Sequence, residues 1–159
     1  MKAIAYKTFV RPILEYASSV WDPYTQGNKD KLEAVQRRAA RFVCSNYHRT
    51  SSVTRMIEEL GWPSLEQRRK TARLAMLYKM REGIIQIDEN ITKENLVGKG
   101  ERPRRDKHNK QYIEDNSFKQ DYRLGSFYPK TIENWNDLSQ KMVDADSLDT
   151  FVSRVCSEF

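Results

Sequence analysis

The sequence predicts a mainly α fold: a helical bundle, then a basic linker, then a small C-terminal unit with room for a short β-hairpin and two short helices. Three observations predict it. Apolar residues recur at i, i+3, i+4 and i+7 through most of the chain. Glycines, prolines and capping residues fall where those recurrences stop. Three tryptophans, eight tyrosines and six phenylalanines supply core material to a chain whose residues are 31% charged. The expected divisions are residues 1–94 for the bundle, 95–111 for the linker and 112–159 for the last unit.

The opening segment, Ala3 to Val20, places Tyr6, Phe9, Val10, Ile13, Tyr16, Ala17 and Val20 on one helical face. Within "FVRPILEYASSVW", Pro12 has no N–H to give the carbonyl of Thr8. An interior proline costs a helix about 3 kcal/mol. The expectation is therefore one kinked helix whose flanking aromatics are buried. Pro23 and Gly27 in "WDPYTQGN" end it.

A second helix is expected from Lys29 to Cys44, with Leu32, Val35, Ala39, Phe42 and Val43 inward and Arg37, Arg38 and Arg41 outward. A short third one, Val53 to Leu60, stops at Gly61. Ser64, three residues before Gln67, reads as the capping-box start of a helix from Leu65 to Arg81. Its second half, "LAMLYKM", is apolar on most sides and reads as sandwiched, with Gly83 ending it.

From Asn95 to Lys110 the chain is glycine, proline and clustered charge without apolar period, a basic linker. The scattered aromatics of "QYIEDNSFKQDYRLGSFYP" supply the hairpin. Thr131 is then expected to cap a helix with Ile132, Trp135 and Leu138 on one face. Ser147 caps a last one bearing Leu148, Phe151, Val152 and Val155.

The formal charge of +6 makes polyanions plausible partners. Cys44 and Cys156 are far apart and neither has a ligand neighbour at zinc spacing. No apolar run nears the roughly 20 residues a bilayer requires, and Lys7 and Arg11 interrupt any leader. An intracellular protein with no membrane partner is expected, its compartment (nucleus or cytoplasm) left open. His48 and His108 lack a nucleophile arrangement. Asp144 and Asp146 sit before the Ser147 cap, where acidic residues suit the helix dipole better than a metal pair. No glycine-rich phosphate loop is present. The residues predict no active site, no cofactor and no metal.

Three basic groups are candidate phosphate contacts: Arg37, Arg38 and Arg41; Arg68, Arg69, Lys70 and Arg73; and Arg102, Arg104 and Arg105 with Lys107 and Lys110. The competing reading makes them solvated faces paired with Glu33, Glu66 and similar neighbours. Tyr6, Tyr16, Trp21 and Trp135 lie on apolar stripes and read as core rather than stacking platforms.

The ordered blocks "YKTFVRPILEYASSVWDPY", "KLEAVQRRAARFV", "LGWPSLEQRRKTARLAMLYKM", "SFYPKTIENWNDL" and "SLDTFVSRV" span nearly the whole chain. In that order they resemble the region downstream of the polymerase core in reverse transcriptases of jockey-type non-LTR retrotransposons (LINEs). The resemblance implies a thumb and post-thumb fragment of an RNA-directed DNA polymerase, without fingers or palm and so without the catalytic aspartates. Its partners would be RNA or an RNA–DNA hybrid, together with the missing palm and fingers. Arg11, Pro12, Glu15, Trp21, Trp62 and Trp135 would be motif residues of structural kind, with Arg11 and Glu15 paired or fixing a neighbouring backbone. Ser139 stands where the family usually has proline after "WNDL", implying a longer helix end there. The alternatives are a protein-interaction module using exposed apolar helix faces, or a transposon relic without selected function.

Overall fold

Pro12 sets the course of the first segment in the computed structural model, which describes residues 1–87, 112 and 125–158. Helix α1 (Lys2–Ala5) runs into a π-helical turn (Tyr6–Val10), and α2 (Arg11–Glu15) follows with Pro12 as its second residue. The Arg11 N–H donates five residues back, to the Tyr6 carbonyl. Widening the turn accommodates a residue that has no N–H and whose ring would strike the preceding carbonyl. Tyr16 then leaves the helix, Ala17 takes a left-handed conformation at φ +50°, and α3 (Ser18–Trp21) restarts.

The one kinked helix of the sequence reading is thus several short pieces, and the expected burial of its aromatics is corrected with it. Tyr6 is 3% exposed, but Phe9 is 72%, Ile13 75%, Tyr16 80% and Val20 84% exposed. A constant helical period was the source of the error. The wide turn and the left-handed Ala17 break that period, so residues one period apart no longer share a side.

Helix α4 (Gln26–Cys44) starts earlier than expected, from Thr25, whose carbonyl accepts from Asn28 and Lys29. Gln36 and Ala40 form its buried line, while Phe42, expected inward, is 46% exposed. Helix α5 (Val53–Glu59) is capped by Ser52, and α6 (Leu65–Arg81) has the expected bounds. Ser64 Oγ accepts from the Gln67 N–H at 3.0 Å, as the cap reading requires. Gly61 (φ +60°) and Gly83 (φ +68°) close α5 and α6 in the left-handed conformation that glycine adopts without strain. In both, the following residue's N–H reaches five residues back, from Trp62 to Ile57 and from Ile84 to Lys79.

Helix α7 (Phe127–Asn136) begins after Ser126, so Thr131 is not its cap but a buried interior residue. Pro129 falls in the first turn, where N–H groups have no intrahelical acceptor anyway. Ser139 precedes a separate turn, α8 (Gln140–Val143), so the preceding helix does not extend through it. Helix α9 (Leu148–Glu158) starts as expected, with Ser147 Oγ accepting from Thr150 N–H at 3.2 Å. The described residues are mainly helical. The expected linker (95–111) and most of the expected hairpin lie outside them.

Two compact units, Met1–Arg69 and Lys70–Phe159, divide within α6 rather than at the linker. The reason is the apolar second half of that helix. Leu74, Leu77 and Tyr78 are buried with Ile132, Trp135, Leu138, Phe151 and Val155 in the core of the second unit. There the Tyr78 and Phe151 rings stack at 4.6 Å, and the Tyr78 hydroxyl donates to the Ala145 carbonyl at 2.8 Å. Asn136 pairs with both backbone groups of Tyr112, at 2.9 Å each.

The first unit is built around Tyr6, Ala40, Met56 and Trp62. Tyr6 stacks on Trp62 at 4.6 Å and donates to Gln36 Oε1 at 3.0 Å, while Gln36 Nε2 donates to the Pro63 carbonyl at 3.0 Å. Burial pushes the Tyr6 hydroxyl up to about 12. The folded chain holds that proton more tightly than the unfolded chain, so the contribution is intact below pH 10 and is lost as pH rises towards 12. Tyr6→Phe should therefore remove on the order of 2 kcal/mol of alkaline sensitivity, seen as a smaller drop in urea-unfolding free energy between pH 9 and 12. An unchanged drop would place the hydroxyl in solvent.

Candidate nucleic-acid interface

Charge alone does not make an interface; the cations must be open to solvent and not already neutralised. The first turns of α6 fail that requirement. Arg68 makes a two-pronged pair with Glu15, its Nε on Oε1 and its Nη2 on Oε2 at 3.0 Å. Arg69 Nε lies 2.7 Å from Asp22 Oδ1, and the two side chains are only 1% and 6% exposed. Both terminal nitrogens of Arg69 are buried without a hydrogen-bond partner among the described residues. Burial lowers its pKa, partly offset by Glu33, Glu66 and Glu15.

Arg73 is also buried, and burial pushes its guanidinium down to about 10. Its Nη2 donates to Asn134 Oδ1 at 3.0 Å. The expectation that Arg68, Arg69 and Arg73 contact phosphates is corrected: Arg69 and Arg73 are buried, and Arg68, one-third exposed, is paired with Glu15. Lys70, between them in sequence, is half-buried. The competing i, i+4 pairing was not the arrangement found either. Glu66 binds Lys29 at 2.6 Å, and Glu33 accepts from the Glu66 N–H at 2.9 Å, an anion on the start of α6.

Helix α4 is different. Arg37 and Arg38 are exposed, and neither forms an ion pair among the described residues. Arg41, four residues on from Arg37 and three on from Arg38, neighbours both on the helix surface. Arg41 is half-buried because its Nη1 donates to the His48 carbonyl at 3.1 Å. That bond ties the α4–α5 turn to the arginine face. No carboxylate occurs in sequence from Ala34 through Ile57, a stretch that contains Arg37, Arg38, Arg41, Arg49 and Arg55. Arg49 is exposed on the turn, beside an exposed Tyr47, while Arg55 pairs with Glu59 at 3.0 Å. Reading helix faces one at a time overlooked Tyr47 and Arg49; the acid-free stretch was the signal available.

The remaining motif residues are structural in the ways their surroundings allow. Arg11 lies 3.9 Å from Glu15, whose closer partner is Arg68. Trp21 is 40% exposed and donates from Nε1 to the Tyr16 carbonyl, whereas Trp62 and Trp135 are buried. Arg102, Arg104 and Arg105 lie outside the described residues. Among the described residues no group of three or more His, Cys, Asp or Glu side chains could hold a metal, and no helix is long and apolar enough to cross a membrane. Comparison with protein-family models, curated proteins and solved structures found no match.

The Asp22–Arg69 pair makes a measurable demand on the fold. Removing one member of a buried pair leaves an uncompensated charge, at about 3–5 kcal/mol. Asp22→Asn should lower the urea-unfolding free energy by about that amount, and Asp22→Asn with Arg69→Met should recover at least half of it. A single variant within about 1 kcal/mol of the parent would mean the pair is solvated.

Proposed function

We propose that the chain binds RNA or an RNA–DNA hybrid without sequence preference, as the non-catalytic thumb-side portion of a LINE-type reverse transcriptase. The polymerase assignment is supported by the ordered motif blocks from "VRPILEYASSVWDPY" to "SLDTFVSRV". The binding reading is carried by a single observation, the open arginine face of α4. Phosphate contacts that ignore sequence need solvent-facing guanidinium groups. Arg37 and Arg38 meet that need, with no carboxylate near them in sequence on the C-terminal side.

Titration of an RNA–DNA hybrid at rising salt tests it. Each phosphate contact contributes about 0.7–0.9 to the log–log slope, so Arg37→Ala with Arg38→Ala should flatten the slope by about 1.4–1.8. Thermal stability should stay unchanged, because neither residue is packed. A parental slope near zero would contradict the binding, and an unchanged slope in the double variant would move it off α4.

The exposed apolar side chains of the first segment favour a second reading, a surface for protein association. Phe9, Ile13, Tyr16 and Val20 are all exposed within one short segment, and grouped apolar exposure marks association surfaces. Light scattering after size exclusion separates the readings: a salt-insensitive oligomer that ignores nucleic acid would support this one and contradict the first.

A further inference from the structure

Tyr47 is 65% exposed and makes no hydrogen bond or ring contact with any described residue. It is nonetheless held on a braced turn. Ser45, left-handed at φ +50°, closes α4 with its N–H on the Phe42 carbonyl, and the Asn46 N–H reaches the Arg41 carbonyl at 3.1 Å. Asn46 Oδ1 then accepts from the His48 N–H at 3.2 Å and from Ser51 Oγ at 2.9 Å. Arg41 fixes the far side of the turn through the His48 carbonyl. An exposed aromatic on a braced turn loses little conformational freedom when something stacks on it.

The surroundings define what that something is. Arg49 is exposed two residues on, and Arg37 and Arg38 lie on the α4 face to which Arg41 ties the turn. Lys2 Nζ bonds Ser45 Oγ at 2.6 Å and covers the nearby Phe42 ring at 5.1 Å, so Phe42 is occupied where Tyr47 is open. An open ring with exposed arginines before and after it in sequence, in a stretch without carboxylates, suits an aromatic group attached to a polyanion. Nucleobases in a duplex are already stacked; those of a single strand are free to take a new partner.

We infer that Tyr47 is a stacking platform for an unpaired nucleobase, with Arg37, Arg38 and Arg49 holding the adjoining phosphates of a single strand. The inference rests on the nucleic-acid reading above and adds to it the kind of strand and the residue that selects it.

The test uses the full chain and three labelled probes: a short thymidine single strand, an abasic strand with the same number of phosphates, and a blunt RNA–DNA hybrid. Stacking of one base should make the parent bind the base-bearing strand about 5- to 100-fold more tightly than the abasic one. Tyr47→Leu should abolish that difference while leaving abasic-strand and hybrid affinities within about twofold, and Tyr47→Phe should keep it. Equal affinity of the parent for the two strands overturns the inference, whatever the variants do, and so does a Tyr47→Leu variant that behaves as the parent. In either case retained hybrid binding would leave the basic-face reading standing. Loss of all three affinities in the parent would overturn both.

Discussion

Two carboxylates from the opening segment, Glu15 and Asp22, hold two consecutive arginines at the start of α6. Consecutive helical residues point about 100° apart, so Arg68 and Arg69 face different directions. Glu15 and Asp22 are seven apart, and a straight helix would present both on one side. A single regular helix could not serve both arginines well. The exit at Tyr16 and the left-handed Ala17 break that regularity between Glu15 and Asp22, and each carboxylate reaches its own partner. The proline in "FVRPILEYASSVW" acts earlier, at the wide turn that precedes α2, and the break between the two carboxylates is made at Tyr16 and Ala17. The Arg69–Asp22 pair is desolvated, and the terminal nitrogens of Arg69 have no partner among the described residues. Such a pair specifies geometry more than it stabilises.

The surface follows from the interior. With Arg68 and Arg69 neutralised and Arg73 buried, much of the basic charge in the first turns of α6 is withdrawn from solvent. Arg37 and Arg38 on α4 and Arg49 on the turn after it are exposed. The first segment shows the complementary effect. Its carboxylates are committed to α6 while several of its apolar side chains stand in solvent.

Legibility in the sequence tracked how local each cause was. Helix α6 was readable to the residue because Ser64 and Gly83 act on backbone groups within five residues of themselves. Ser147 and Gly61 were readable for the same reason. The partners of Arg68, Arg69 and Arg73 lie 53, 47 and 61 residues away, and no spacing rule reaches that far. Inspection of i, i+4 neighbours offered Glu33 and Glu66, which have other tasks. Phe42 and Gln36 changed places relative to the hydrophobic pattern because Tyr6 and Pro63 give the Gln36 amide two buried partners. Thr131, expected as a cap, is interior because the helix starts at Phe127 and tolerates Pro129 in its first turn. Tyr47 went unread because it lies on no stripe at all.

The central claim is a partition of arginines, those of α6 inward and those of α4 outward, and arginine side-chain NMR reads it directly. Signals of the Nε–H groups of Arg68, Arg69 and Arg73 should exchange slowly with water and stay fixed when RNA is added. Those of Arg37 and Arg38 should exchange fast and shift with the titration. Fast exchange and RNA-dependent shifts at Arg68 and Arg69, with Arg37 and Arg38 silent, would contradict the account.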